Sequence, residues 1–355
     1  SENTLVPVNV QLTPKEKRNY KLSIGYGSNN GIRSSAQLEL PFLNAQGHRA
    51  QASLTLAKKL AFSDLNQEKV TVDTDYPTEA TLQLQYFIPG NDPIKEMFSL
   101  ETTLKRTSFY TPAGRKPFTN RDITGQYINN IHRWKQIASI TYLHESSETT
   151  AERPIQFDLF SPAVRWTKIS SDNLLTPTYG TLVNISLRGV DNLANSNYNF
   201  IVFKAKARHL MTFAQFNRIL THVAFGYMSV KDQVHVPKTY QLLTGGSSSL
   251  RGFDYLAVGP GTHLAIMGTE LQRVLQNHWI AGLFIEGGNV YSTFDAISNP
   301  VNRSDKIKIS QGFSLTKQTS VGTLSLSYAR ARQYRPEFER WKWQWKWHFS
   351  IGTEL

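Results

Sequence analysis

Apolar and polar residues alternate along most of this chain with a period of two, the spacing of a half-buried β-strand rather than of a helix. From Thr81 to Ile88, Leu82, Leu84, Tyr86 and Ile88 share one face, and Thr81, Gln83 and Gln85 the other. Thr181, Val183, Ile185 and Leu187 oppose Leu182, Asn184, Ser186 and Arg188. Ile201, Phe203, Ala205 and Ala207 oppose Val202, Lys204, Lys206 and Arg208, and Leu324, Leu326 and Tyr328 oppose Thr323, Ser325 and Ser327. The pattern predicts strands at 20–27, 31–40, 48–57, 79–88, 96–107, 121–130, 134–145 and 155–168. The second half gives 179–189, 197–210, 216–229, 263–274, 278–289, 307–315, 321–331 and 341–352. A soluble sandwich also alternates, because one face of each sheet is wet. So many runs, with no helical segment between them, favour an all-β fold: a closed, 16-stranded antiparallel transmembrane β-barrel.

The connections support that reading. Short turns fall at 44–47, 89–93, 131–133, 211–215, 275–277 and 316–320, and long ones at 58–78, 108–120, 230–262 and 290–306. Short periplasmic turns against long external loops mark an outer-membrane barrel. Two connections break the rule: 169–178 is long on the short side, and Asn29-Asn30 is short on the long side. Residues 1–19 stand apart, with a short alternation at Val6, Val8 and Val10 and then a polar stretch. They read as the end of a preceding periplasmic domain plus a linker, with the barrel at 20–355.

Composition changes little. No apolar run approaches the ~20 residues of a helical span, and the mean hydropathy of -0.37 is compatible with a barrel, whose strands need only every second residue apolar. Aromatics at 12% suit interfacial girdles. Cysteine is absent, which excludes disulfides and thiolate metal sites. The net charge of +12 invites a nucleic-acid reading, but the basic residues are not interleaved with aromatics as in such a groove. Lys204, Lys206 and Arg208 are expected in the lumen. Arg115, Lys116 and Arg121, and Arg330, Arg332, Arg335 and Arg340, fall in external loops or strand ends, where they serve solubility or meet lipopolysaccharide phosphates.

The final strand carries Trp341, Trp343, Trp345, Trp347, Phe349 and Ile351 on one face, and Lys342, Gln344, Lys346, His348 and Ser350 on the other. At ~3.3 Å per residue this face is long enough to cross an outer membrane. The plain reading is lipid-facing surface with part of a girdle. The sharper one is a lateral seam. In it the last strand, from Trp343 to Gly352, pairs imperfectly with the first, which carries Tyr20, Leu22, Ile24 and Tyr26. Client strands could then be templated on the exposed edge.

The longest connection contains Leu250-Arg251-Gly252-Phe253. If apolar Leu271, Leu283 and Ile285 face lipid, parity turns Glu270 and Glu286 inward, where a guanidinium could bridge two carboxylates as lysine cannot. Spacing alone is equally consistent with Arg251 in a solvated loop and both acids lining a wet pore.

The stretch from Leu242 to Val290 resembles the barrel-forming surface-antigen family that includes BamA, TamA and the two-partner secretion transporters. Leu250-Arg251-Gly252-Phe253 matches that family's Arg-Gly-aromatic loop tip. Glu270 falls where the family has an acidic residue, and Phe284, Glu286 and Gly288 match its Phe-x-Asp-x-Gly pattern with Glu for Asp. The resemblance is strongest to TamA, through Ile24-Gly25-Tyr26-Gly27, Leu40 to Asn44 with Gly47, Ser320 to Leu324 and the Gly352-to-Leu355 terminus. It implies a long loop folded inward between the eleventh and twelfth strands, with Arg251 against the acids, and periplasmic domains upstream. It also implies a TamB-like periplasm-spanning partner, and insertion of autotransporters or other barrels through the seam without nucleotide. A two-partner secretion transporter exporting one adhesin or toxin is the alternative. A diffusion pore would need a constriction loop from an early strand pair, and no Arg251 with two acidic partners.

Other chemistry is not indicated. Gly245 to Gly252 lacks the Gly-Lys-Ser/Thr ending of a phosphate loop, and no Gly-x-Ser-x-Gly elbow is present. No His-Glu-x-x-His motif occurs, and His144-Glu145 reads as a solvated pair at a strand end. No cofactor, metal or enzymatic role is expected.

Overall fold

Strands with one apolar and one polar face can bury neither edge nor face alone; closing the sheet on itself removes the edges and separates two solvents. The computed structural model describes residues 16–28, 31–58, 79–111, 114–147, 155–173, 177–190, 198–230, 236–298, 306–319, 322–335 and 340–352. The short alternation expected at Val6 to Val10 lies outside the described residues, as does most of the 58–78 connection.

The elements are β1 (Asn19–Gly27), β2 (Gly31–Leu40), β3 (Arg49–Lys58), β4 (Glu79–Pro89), β5 (Glu96–Thr111) and β6 (Gly114–Ile131). Then come β7 (Trp134–Ser147), β8 (Ile155–Ser171), β9 (Tyr179–Val190), β10 (Phe200–Phe213) and β11 (Asn217–Val230). The long connection holds β12 (Leu242–Thr244) and β13 (Val258–Gly261). The chain ends with β14 (His263–Val274), β15 (Trp279–Tyr291), a one-turn helix α1 (Asp295–Ser298), β16 (Lys308–Thr319), β17 (Gly322–Arg335) and β18 (Arg340–Gly352). Among the described residues sixteen of these strands form a closed antiparallel barrel, with β11 bonded to β14 and β1 to β18; β12 and β13 form their own two-stranded sheet.

The two faces separate as parity requires. Leu84, Phe98, Leu100, Ile140, Met267, Leu271, Leu283 and Ile285 are exposed on the outside, where only hydrocarbon makes that favourable. Inward positions are polar toward the short-turn end. Glu101 there accepts hydrogen bonds from Gln83 (2.7 Å) and Gln85 (2.8 Å), beside a cavity of about 550 Å³ lined by Asp122, Arg165, Arg188 and Lys204. Toward the long-loop end the inward residues of β7 to β11 become apolar: Leu143, Phe157, Leu159, Val190, Phe200, Val202 and Met228. They pack on Val236, Tyr240, Leu242, Leu250, Phe253 and Val258 of the long connection. The lumen is therefore packed with apolar side chains between β7–β11 and the long connection, and lined by polar ones toward the short-turn end.

Several boundaries differ from the sequence expectation. The connection expected at 108–120 is largely strand: β5 and β6 stay paired as far as Thr111 with Gly114. β10 runs to Phe213 and β16 to Thr319. On β10, Met211 and Phe213 continue the exposed apolar face beyond the expected end. The tight turn between β6 and β7 has both central residues, His132 and Arg133, at positive φ (47° and 69°), as the twist of a two-residue hairpin requires.

Candidate functional site

The long connection is a closed excursion: Leu242 pairs with Gly261 and Thr244 with Val258. Beyond β12 the chain turns at Gly245 and Gly246 (φ 113° and 97°), conformations that favour glycine. The Gly246 amide donates to the carbonyls of Leu250 and Phe253, and the Phe253 amide to that of Leu250 (3.0 Å). Leu250 through Phe253 thus form a compact tip. Leu250 and Phe253 are buried in the apolar core, which leaves Arg251 and Gly252 directed at the β14–β18 wall.

Arg251 is held on three sides. Its backbone N–H and Nε–H donate to the two oxygens of Glu286, at 2.8 and 2.6 Å. A terminal nitrogen reaches Glu270 Oε2 at 2.8 Å, and the guanidinium carbon stands 3.4 Å from the Phe284 ring centroid. Glu270 also accepts from Ser314 (2.6 Å) and Gln272 (3.1 Å). One cation is thus bridged between two carboxyl groups and covered by a π-face. Gly288 packs against β14: at φ 152°, a Cβ there would run into the Ala265 carbonyl oxygen.

Gly252 sits where no side chain fits, since a Cβ would lie 2.2 Å from the Ala331 Cβ. Its N–H donates to Ser310 Oγ (2.8 Å) and its carbonyl accepts from Gln344. Lys346 pairs with Asp254 at 2.7 Å. His348 Nε2 bonds the Arg251 carbonyl, which can only accept, so Nε2 carries the hydrogen. Gln344, Lys346 and His348 stand on the polar face of the last strand that the sequence shows, but their contacts with the tip, like those of Ser310 and Ser314, do not follow from it; parity gives only that β16 and β18 turn them inward. Glu145, expected as part of a solvated pair with His144, is instead fully buried and bonded to the long connection. His144 turns away to Asp158 (2.7 Å).

The junction of first and last strands is short. β1 pairs with β2 along its whole length, from Asn19–Glu39 to Gly27–Gly31, and β18 with β17 from Gly352–Thr323 to Arg340–Arg335. Among the described residues, only Tyr26–Ile351 and Gly27–Ser350 are in register across the junction. The Ser28 amide adds a bond to the Phe349 carbonyl (2.9 Å), and Ser28 Oγ lies 3.1 Å from His348 Nδ1. At roughly 0.5–1.5 kcal/mol per hydrogen bond, such a junction contributes a few kcal/mol, against on the order of 10 kcal/mol for β17–β18. Tyr20, Leu22 and Ile24 lie on β1 beyond the described end of β18 and are strongly exposed. Trp343, Trp345 and Trp347 are exposed on the outer face of β18; Trp345 and Trp347 pack on Tyr328. A polar cavity of about 400 Å³ lies behind the junction, lined by Ser23, Ser28, Arg251, Ser327, His348 and Ser350.

Comparison with known proteins agrees with this architecture. BamA from Haemophilus ducreyi lacking POTRA domains 1-3 superposes with a TM-score of 0.78 at 14% identity, covering 96% of this chain and 70% of that one. CdiB from Acinetobacter baumannii gives 0.60 at 11%, covering 95% and 60%, and CdiB from Escherichia coli 0.63 at 12%, covering 96% and 64%. The chain thus spans less than two thirds of either CdiB. The Omp85 superfamily domain matches residues 17–355. The chain belongs to the Omp85 superfamily and is a β-barrel of the Gram-negative outer membrane, of the class that transports or inserts proteins.

Proposed function

We propose that this barrel is a TamA-like assembly factor that inserts autotransporters or other barrel proteins into the outer membrane through the β1–β18 junction. The observation that carries this reading is the junction itself, two paired positions in a barrel whose other strands pair over most of their length. A free strand edge recruits another strand, and among the described residues the two strands pair over only a small part of their edges. The apolar packing between β7–β11 and the long connection supports lateral release over export, because an exported chain would have to displace it. A TamB-like partner, met through upstream periplasmic domains, completes the proposal. Arg330 lies on the outer face, its guanidinium 3.8 Å from the Trp343 ring centroid, and we assign it a role in meeting lipopolysaccharide phosphates.

The second reading, export of a dedicated adhesin or toxin, draws on the likeness to the CdiB barrels. Both readings are tested by adding a urea-unfolded autotransporter β-domain to vesicles bearing this protein. Faster folding of the client than in empty vesicles is expected. No acceleration, with an unfolded passenger instead crossing the bilayer, would replace insertion with export.

A further inference from the structure

The long connection is tied to the barrel at a second place, on the wall opposite the Arg-Gly tip. Before its tip is reached, Lys238, Thr239 and Tyr240 lie against β6 to β9. Glu145 of β7, fully buried, accepts from the backbone amides of Lys238 (2.6 Å) and Thr239 (3.2 Å) and from the Thr239 hydroxyl (2.7 Å). Asn120 of β6 donates to the same hydroxyl at 2.9 Å. Arg188 of β9 stacks on the Tyr240 ring at 4.8 Å and donates to Ser161 of β8 at 2.6 Å. A buried carboxylate without such donors would be costly. Here two main-chain amides and a hydroxyl face it, an arrangement that fixes the chain that supplies them.

We propose that Glu145 is a positioning residue that anchors the root of the lumen loop to the β6–β9 wall, independently of the Arg251 clamp that holds the tip to the β14–β18 wall. The two anchors differ in their relation to the junction. The tip's partners include β18, one side of the junction, whereas β7 lies near the opposite side of the closed strand order. When β18 parts from β1, the tip can leave its clamp while the root stays bound, so the loop remains in the barrel as a tethered plug. The inference concerns the loop's retention, and holds for insertion and export alike.

Ion conductance of the purified chain in planar bilayers tests it. Arg251→Ala and Glu145→Ala should each leave conductance close to wild type, since one anchor still holds the loop. The double variant should conduct several-fold more than either. A double variant no more conductive than Arg251→Ala would overturn the proposal, as would full opening by Arg251→Ala alone. Loss of folding is separated by adding Asn120→Cys and Thr239→Cys to the double variant; the natural chain has no cysteine. Oxidation should close that pore and reduction reopen it. A pore indifferent to the oxidation state of a formed bridge would contradict a role for the root.

Discussion

His348 and Ser28 face each other across the barrel's closing junction, the serine hydroxyl 3.1 Å from Nδ1, while the other ring nitrogen holds the Arg251 carbonyl. In the neutral ring Nε2–H donates to that carbonyl, so Nδ1 accepts from Ser28. First strand, last strand and loop tip are thereby joined through one imidazole. His348→Ala should weaken both the junction and the docking of the tip, while His348→Gln, with one donor and one acceptor on its amide, should preserve much of both. Hydrogen exchange of the β1 and β18 amides reads the difference: faster exchange in the alanine variant, near-normal exchange in the glutamine variant. Equal exchange in all three would exclude this linkage.

Arg251→Ala leaves Glu270 and Glu286 facing each other without their cation. Breaking a buried pair by removing one partner costs about 3–5 kcal/mol, so a marked fall in the barrel's unfolding temperature is expected. Arg251→Lys should recover little, because an ammonium cannot span two carboxylates and stack on Phe284 together. Thermal unfolding followed by heat-dependent gel mobility measures this; full recovery by lysine would show that charge alone matters.

Gly252→Ala places a methyl group 2.2 Å from the Ala331 Cβ, and should displace the tip. Adding Ala331→Gly removes the opposing methyl and should return part of the loss. A coupling of roughly 0.5–3 kcal/mol between the two changes is expected, read from denaturant midpoints. Strict additivity would mean that the two sites do not touch.

Strands were legible from the sequence because lipid outside and water inside impose alternation on almost every run. Arg251, Glu270 and Glu286 were accessible by parity and motif together, since Leu271, Leu283 and Ile285 fix which way the acids point. Ser310, Gln344, His348 and Glu145 were not. Parity says that each points inward, but not which inward residue a loop crossing the lumen will reach. The projecting β5–β6 hairpin was read as a loop for a different reason. Its strands are continued by their backbone ladder, from Ser108 with Pro117 to Thr111 with Gly114, through a sequence that does not alternate.

Asp172 organises the turn between β8 and β9. It accepts from the amides of Asn173 (2.9 Å), Thr178 (3.0 Å) and Tyr179 (3.1 Å). The Thr178 hydroxyl, and then those amides, hold its carboxyl down at about 2, below the ordinary 3.8. A depressed folded value means that its contribution is present above the ordinary value and lost as pH falls through about 2. Amide exchange at Thr178 and Tyr179 should therefore be faster in Asp172→Asn than in wild type at neutral pH, with the difference vanishing below pH of about 2. A difference that persists in acid would point to something other than the carboxylate.

On the proposed function, the β1–β18 junction must part for the barrel to work. Gly27 and Ser350 face each other there, and a Cβ on Gly27 meets nothing within 4 Å, so Gly27→Cys with Ser350→Cys can be bridged without crowding. The decisive measurement is client-folding rate in vesicles bearing this variant, oxidised and then reduced. Loss of acceleration on oxidation, with recovery on reduction, is the expected result. An oxidised barrel that accelerates client folding as well as the reduced one would show that the junction stays closed during function.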